Sequence, residues 1–330
     1  MVADGNLWFI HLAYLCGFTI EMDLPKKQHW VPRFYLKQFA IPATKDSKIP
    51  KVWTFSKNHR DPKEPALISI TDAASSRYMY SPINKQGHRD FSTEQKLADI
   101  EGIVSKIWPD ICHGSMAFSG SVRKIVSLFL ATTMLRDQKS FNLAKYTHNK
   151  MRSIIDSFPK NDLGIPQINK FVYKGKEYSL DLSDWQNPKY NSDNYFRQFF
   201  VDTINENAIH FAKILLDRTW SIWTFSNSIL ATSDAPFIMC NTIKEPYGIE
   251  TKGTVVFFPL TPYRALEIGG KGKDNAYYPM PDMYAHLINY LLWTNDCRFL
   301  YSHRNTDEVL LEIHNFVEAR KKELSTSNTD

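Results

Sequence analysis

Four short runs in the second half of the sequence, SIWTFS (221–226), ILATSD (229–234), TVVFFPL (254–260) and ALEIG (265–269), are the clearest indication of its fold. Each run is rich in β-branched and aromatic residues and ends at a polar, Pro or Gly break, which is the pattern of short strands. They therefore predict a sheet in the second half of the chain. The regular alternation of strand and helix that is typical of a doubly wound sheet is missing.

The segments around these runs have helical periodicity, with apolar residues every three to four positions in 92–108, 121–158, 195–216, 283–294 and 307–324. Residues 121–158 contain no Pro or Gly, which predicts one long helix or a kinked pair. Residues 51–56 and 67–71 predict two further strands, and residues 171–182 predict a hairpin around Gly175. The sequence thus predicts an α+β fold, with mixed sheets of short strands packed against several amphipathic helices, including one long central helix.

We expect one α+β domain over residues 22–324 and a frayed polar tail over residues 325–330. Residues 1–21 are a candidate for a non-native or buried N-terminal extension, because a polar stretch opens at Met22 and makes this residue an alternative start to Met1. The apolar run 6–20 is shorter than the roughly 20 residues of a spanning helix. It also lacks the basic flank of a secretory signal. We therefore expect no stable membrane insertion.

Charge and cysteine content limit the classes of partner and compartment. The formal net charge of +5 is spread along the chain, which permits binding to nucleic acid without requiring it. The four cysteines lie far apart with no CxxC pair, so neither a zinc site nor a disulfide framework is indicated, and a reducing cytoplasm is expected. Walker A, dinucleotide-binding, HExxH, GxSxG and kinase motifs are absent from the sequence, which disfavours those enzyme classes. The oligomeric state is left open.

Residues 29–36, HWVPRFYL, combine an imidazole, a guanidinium and a phenol in one short segment. In a functional interpretation His29 is a general base or metal ligand, Arg33 is an anion clamp and Tyr35 contacts substrate. In the alternative interpretation His29 bonds a backbone carbonyl while Trp30 and Tyr35 fill the core. The sequence does not decide between the two.

Residues 232–236, TSDAP, are a second candidate, because Ser233 and Asp234 end a predicted strand where loops expose functional groups. Asp234 could hold a divalent cation, yet Ser and Asp before Pro are also ordinary turn residues. Asp234 with Glu250 and Lys252 weakly matches the metal-binding acid and acid-x-lysine arrangement of restriction-type nucleases.

Three polar residues within predicted helices complete the set. Glu101 and Arg136 lie among apolar neighbours, which indicates either a buried ion pair or polar pocket, or an ordinary solvated face. Asn289 shares a helical face with His286, where a capping role is favoured over catalysis.

Several motifs together resemble DUF4238, a bacterial family that is catalogued as a domain of unknown function. They are HWVPRFYLKQFA, VWTFSK, LATTMLRD, TSDAPF, FFPLTP and NYLLWTNDCRFLYS, within residues 27–302. The residues that match the pattern are His29, Pro32, Tyr35, Leu36, Phe39, Glu101, Arg136, Ser233, Asp234, Pro236, Pro259, Pro262 and Asn289. The chain departs from the family at Ala235, where Asn is more usual, and this removes one polar ligand. Some members resemble cargo of mobile elements, so the resemblance implies a role in antiphage defence without specifying a fold or a reaction.

Two functions follow as hypotheses, and whether the chain is an enzyme is left open. The first is a defence effector that cuts nucleic acid with Mg²⁺ or Mn²⁺, with catalytic His29, Glu101 and Asp234, of which Glu101 and Asp234 hold the metal. Arg33 and Arg136 would contact phosphate, and the other substrate-binding residues would be Tyr35, Ser233 and Asn289. The second is a non-catalytic sensor or toxin-like protein that binds a phage or host component through the same polar residues and an aromatic surface.

Overall fold

The computed structural model describes residues 26–326 apart from 57–65, 85, 115–116, 174, 183–184, 186–192, 244–246 and 296. The candidate extension 1–21, with its apolar run, lies outside the described residues, as do residues 327–330 of the predicted tail. Residues 325–326 are the last two residues of the final helix. Within the described ranges, the helices are either too short or too polar to cross a membrane.

Three of the four predicted runs, SIWTFS, TVVFFPL and ALEIG, lie in one five-stranded sheet, whereas ILATSD contributes to a different sheet. The strands of the five-stranded sheet are β7 (Trp220–Thr224), β9 (Ile238–Cys240), β10 (Val255–Thr261), β11 (Arg264–Ile268) and β12 (Ala276–Pro279). Their order is β12-β7-β11-β10-β9, and all neighbours are antiparallel except β12 and β7. Strand β10 is mostly buried, because its run VVFFPL is apolar on both faces.

A four-stranded antiparallel sheet joins distant parts of the chain. Its strands are β2 (Lys51–Ser56), β3 (Ala66–Ser69), β8 (Thr232–Ser233) and β13 (Phe299–Ser302), in the order β3-β2-β13-β8. Only two residues of the predicted ILATSD strand form a ladder. The preceding segment is held by Asn289 instead, which donates to the carbonyl of Ile229 and accepts from the amide of Ala231, both at 2.9 Å.

Two smaller antiparallel pairs complete the strands. The first joins β1 (Lys27–His29) to β4 (Ser75–Arg77). The second is the predicted hairpin, formed by β5 (Lys170–Tyr173) and β6 (Lys176–Ser179). Gly175 in its turn has φ 74°, a left-handed conformation that glycine adopts without strain.

Seven α-helices lie in the described part of the chain. They are α1 (Arg33–Leu36), α2 (Ser92–His113), α3 (Gly120–Leu135), α4 (Gln138–Asp156), α5 (Asp193–Leu216), α6 (Asp282–Thr294) and α7 (Thr306–Thr326). Helix α3 packs along α5, and α2 and α4 flank this pair. The fold is therefore α+β, as predicted.

The helical pattern 121–158 forms a pair of helices rather than one long helix. The break falls at Arg136 and Asp137, and Asp137 has extended backbone angles of φ −69° and ψ 168°. The Asp137 carboxylate accepts a hydrogen bond from the amide of Ser140 at 2.6 Å, which caps the first turn of α4. A side-chain cap thus replaces the Gly or Pro that usually marks such a break.

An aromatic cluster joins the helices to the five-stranded sheet. Trp108 from α2 contacts Phe129 from α3 and Phe258 from β10, with ring centroids 5.5 and 6.4 Å apart. Tyr35 from α1 lies 5.0 Å from Phe258. These buried rings fix the relative positions of α1, α2, α3 and β10, since aromatic pairs restrict both distance and orientation.

We predict that Asn289→Ala destabilises the protein strongly. The substitution removes both hydrogen bonds to the 229–231 segment at a fully buried position. Leaving one buried amide and one carbonyl unpaired should lower the free energy of unfolding by about 2–4 kcal/mol. Urea denaturation measures this change. Asn142→Ala on the exposed face of α4 is the control and should change stability by less than about 0.5 kcal/mol. An Asn289 variant as stable as that control would contradict the clamping role.

Candidate functional site

The two sequence motifs that were singled out, 29–36 and 232–236, contact each other in the core. The indole Nε1 of Trp30 donates to the carbonyl oxygen of Asp234 at 2.9 Å, across 204 positions of sequence. The Tyr35 hydroxyl and the Thr232 hydroxyl share a hydrogen bond of 2.6 Å. Both aromatic residues are buried. The motifs therefore form one joint between α1 and β8.

The side chains of Asp234 and Ser233 make hydrogen bonds to backbone amides. Asp234 Oδ1 accepts from the amides of Arg298 and Phe299 at 2.9 and 3.0 Å, which fastens the start of β13 to the end of β8. Ser233 Oγ accepts from the amide of Ala235 at 3.1 Å. Burial raises the pKa of Asp234, and the two amide hydrogen bonds oppose this effect. Only the Ser233 hydrogen bond is local, as the turn interpretation of the TSDAP motif expects, whereas the Asp234 hydrogen bonds reach residues 64 and 65 positions away.

Other predicted site residues fall into buried and exposed positions. Tyr35 and Asn289 are completely buried, and both are hydrogen-bonded as described above. Arg33 is exposed on α1, so it is accessible to an anionic ligand. Glu250 lies on the surface, where its Oε1 is 2.5 Å from Nε2 of His210. The buried Asp234 and exposed Glu250 therefore belong to different environments.

His29 is half-buried, and its ring Nε2 donates to the carbonyl oxygen of Thr71 at 3.0 Å. The pKa of His29 is lowered to about 4, chiefly by burial and to a smaller extent by the positive charges of Arg33, Lys27 and Arg136. The Thr71 carbonyl has the opposite effect. His29 is therefore neutral at pH 7, with its Nε2 proton directed to backbone.

Arg136 is a fully buried cation at the junction of α3 and α4. Its side chain is 1% exposed, and its Nη1 lies 2.6 Å from Oε1 of Glu101, which is 26% exposed. The carbonyl oxygen of Arg136 accepts from the hydroxyl of Tyr80 at 2.8 Å. The Nε and Nη2 atoms of the Arg136 side chain are also buried and have no hydrogen-bond partner among the residues that the structure describes. Since buried guanidinium donors are nearly always satisfied, these two atoms have unused capacity to donate to a water or a ligand oxygen.

Two further carboxyl groups belong to this region: Glu94 interacts electrostatically with Arg136, and Asp137 follows Arg136 in the sequence. Burial raises the pKa of Glu94 to about 7, opposed by Arg136 and reinforced by Glu101. Burial also raises the pKa of Asp137 to about 6, against the hydrogen bonds from Ser140 and with a contribution from the charge of Asp234. We call Tyr80, Glu94, Glu101, Arg136 and Asp137 the Arg136 centre.

Glu94 was not among the residues predicted from the sequence. Glu94 and Glu101 are seven positions apart on α2, so two helical turns place them on one face. Leu97 and Val104 on the same face are buried. Two acids within an otherwise apolar helical face are unusual, and this spacing is the signal that could have identified Glu94.

A basic surface lies next to the Arg136 centre, around Tyr78. The Arg89 guanidinium stacks on the Tyr78 ring at 3.7 Å from its centroid, and Arg197 Nη1 donates to the Tyr78 carbonyl at 2.7 Å. Arg77 is exposed beside it and pairs across β1 and β4 with Lys27. Tyr78 itself has φ 53°, a strained value for a non-glycine residue. Composition alone did not reveal this clustering of cations.

The predicted catalytic residues are linked electrostatically through the Arg136 centre. Glu101 forms an ion pair with Arg136. The charge of Arg136 lowers the pKa of His29, and the charge of Asp234 raises the pKa of Asp137. Over the described residues, however, no three His, Cys, Asp or Glu side chains are placed to share a metal ion. What the centre offers chemically is an anion-binding guanidinium with carboxyl groups that exchange protons near neutral pH.

Comparison with known proteins gives a single kind of match. Neither the curated proteins nor the solved structures contain a match to this chain. One family model, described as protein of unknown function (DUF4238), matches residues 27–306. This range includes the Arg136 centre and the joint between α1 and β8. Because the match covers well over half of the sequence, the chain belongs to the DUF4238 family.

Proposed function

We propose that this protein is an antiphage effector of the bacterial cytoplasm that cleaves nucleic acid at the Arg136 centre. The observation that carries the proposal is the buried Arg136 guanidinium, whose Nε and Nη2 have no partner among the described residues, beside a carboxyl group with a pKa of about 7. Perturbed titratable groups around a buried opposite charge are concentrated at functional sites. The centre reaches solvent through Glu101 and the half-buried Glu94.

The surroundings favour a polyanionic substrate. The basic surface around Tyr78 presents Arg77, Arg89 and Arg197 beside the centre. Arginines bind phosphates bidentately, and clustered cations attract nucleic acid through counterion release. The exposed Arg33 adds a further phosphate contact on α1. These cations suit a phosphodiester better than a neutral substrate.

In the proposed reaction, Glu94 acts as the general base. Its carboxylate takes a proton from water while the water oxygen forms a bond to phosphorus and the bond from phosphorus to the leaving oxygen breaks. Arg136, oriented by Glu101, stabilises the negative charge that develops on the phosphoryl oxygens. The leaving oxygen receives a proton from solvent.

The metal predicted from the sequence remains part of the proposal. Mg²⁺ or Mn²⁺ would need Glu101 or Asp234 as a ligand. In the described residues Glu101 is paired with Arg136, and Asp234 accepts hydrogen bonds from two backbone amides. A metal-dependent reaction therefore requires these carboxylates to exchange partners. Cleavage assays with each ion and with excess EDTA test this: activity that survives EDTA supports the general-base route, and activity that disappears supports the metal route.

We predict that Glu94→Gln lowers cleavage by at least about 100-fold, because the amide cannot accept the proton from water. The purified protein is incubated with single-stranded and double-stranded DNA and RNA, with and without Mg²⁺ or Mn²⁺. Rates for the unaltered protein should rise as the pH passes about 7, where the Glu94 carboxylate forms. Glu206→Gln, an equivalent change on the exposed face of α5, should have no effect. Equal rates for Glu94→Gln and Glu206→Gln would exclude this general base.

We predict that Glu94→Gln also changes how stability depends on pH. The pKa of Glu94 is raised to about 7 in the folded protein, so the folded state retains a proton that the unfolded state loses above about pH 4.5. This makes stability fall as the pH rises from 4.5 to 7. The variant lacks this pH effect. Its free energy of unfolding should therefore exceed that of the unaltered protein by on the order of 1–3 kcal/mol at pH 8, with little difference at pH 4. Denaturation across this pH range measures it, and a constant difference would contradict the buried position of Glu94.

A non-catalytic sensor or toxin-like binder is the second candidate. The observation that favours it is that Asp234, Ser233 and Asn289 use their side chains in hydrogen bonds to the backbone. In that case Asp234→Asn should affect protection only as far as it affects folding. Plaque assays and thermal denaturation of the same variant separate the alternatives: lost protection at unchanged stability supports a direct role of Asp234, whereas parallel losses support the binder.

A further inference from the structure

A cavity lies between α4, α5 and residues of the segment that follows β6. Its volume is about 150 Å³. The side chains that line it include His148, Arg152, Asp181, Trp185, Tyr195 and Phe199. A cavity of this size accommodates one aromatic ring, since an engineered cavity of roughly 150 Å³ in another protein binds benzene. The remaining lining residues, Met151, Ile155, Leu180 and Leu182, are aliphatic, so the cavity combines an apolar wall with aromatic and polar groups.

Polar atoms in the lining have unused hydrogen-bonding capacity. Arg152 Nη1 and His148 Nδ1 are both buried and have no hydrogen-bond partner among the described residues. Burial and the nearby charge of Arg152 lower the pKa of His148, so the imidazole is neutral at pH 7. A neutral imidazole nitrogen donates or accepts according to its tautomer. A ligand in the cavity would therefore find one cationic donor and one adaptable partner.

The guanidinium is held in place rather than left mobile. Arg152 stacks on the Trp185 ring at 4.5 Å from its centroid, and its Nη2 donates to the Trp185 carbonyl at 3.3 Å. The Trp185 indole Nε1 in turn donates to Asp156 at 2.7 Å. The centroids of the His148 and Tyr195 rings lie 4.8 Å apart. Planar groups thus border a ring-sized space, with a fixed donor at its edge.

We propose that this cavity binds a nucleobase, and that guanine is the preferred base. Bases stack on aromatic and guanidinium planes, which these walls supply. An arginine recognises the O6 and N7 acceptors of guanine, while a carboxylate accepts from ring and exocyclic N–H groups. Arg152 and Asp181 provide this pair of opposite charges in the lining. The base belongs either to a free nucleotide or to an unpaired position of a nucleic acid strand.

The proposal is tested by binding rather than by cleavage, so its outcome is independent of the function proposed for the Arg136 centre. The full chain is titrated calorimetrically with GMP, AMP, CMP and UMP. GMP should bind at least tenfold more tightly than CMP, which lacks the O6 and N7 pair of guanine. Absence of binding by all four at millimolar concentration, together with absence of oligonucleotide binding, would overturn the proposal.

Variants locate the binding. Arg152→Lys retains the charge but loses the planar donor fork, and it should weaken GMP binding at least tenfold. Lys150→Gln, on an exposed position of the same helix, should not change it. Because Arg152→Lys could disturb packing, Met151→Trp provides a second test: it fills the cavity without altering Arg152. Circular dichroism confirms folding, and full GMP affinity in both folded variants would place the base elsewhere.

Two pentanucleotides distinguish the source of the base. One contains a single central guanine among thymines and the other contains thymine only. Tighter binding of the guanine pentanucleotide than of GMP identifies the cavity as a contact for single-stranded nucleic acid. Binding of GMP with no binding of either pentanucleotide identifies a free nucleotide. Both results support base recognition, whereas equal binding of the two pentanucleotides with no GMP binding would contradict it.

Discussion

The arrangement of this protein depends on the joint at Asp234, where three distant parts of the chain meet. The Asp234 carbonyl accepts from the Trp30 indole, and its carboxylate accepts from the amides that begin β13. These bonds connect the N-terminal motif, β8 and β13 inside the core. Because Asp234 is 2% exposed, no water can replace a missing partner there. The position of α1, and with it the aromatic contacts of Tyr35, follows from this joint.

Arg136 imposes a different constraint, since a buried cation in an aromatic core opposes folding unless charges compensate it. Glu101 provides the direct partner, and Glu94 lies within electrostatic reach. Replacing such a group with an apolar residue of similar volume is often neutral or stabilising in other proteins. A purely structural role therefore explains the buried ion pair poorly, while two buried donors without described partners leave capacity for a ligand. Because these donors belong to Arg136, we place the proposed chemistry there rather than at Asp234.

Sequence patterns predicted those elements whose signals are local. The range of β2, 51–56, and the start of α2 at Ser92 were predicted correctly, since alternation and helical periodicity are properties of neighbouring residues. The break at Asp137 was not located, because one capping carboxylate resembles any polar residue on a helix. Helix α2 also continues through Pro109 to His113, where the buried Trp108 and Ile111 favour continuation over the local preference of proline. The partners of Asp234 could not be predicted at all, since residues 298 and 299 are far away in sequence and only the fold brings them close.

Helix α4 connects the two sites that we propose. Asp137 of the Arg136 centre caps its first turn, and His148 and Arg152 of the cavity lie on its second half. Eleven residues separate Asp137 from His148, so a rise of about 1.5 Å per residue sets their backbones on the order of 16 Å apart. A mononucleotide is too short to occupy both sites, whereas a strand of several nucleotides could place a base in one and a phosphodiester at the other. If the cavity holds a base of the substrate itself, α4 acts as a rigid spacer that fixes which phosphodiester reaches Glu94.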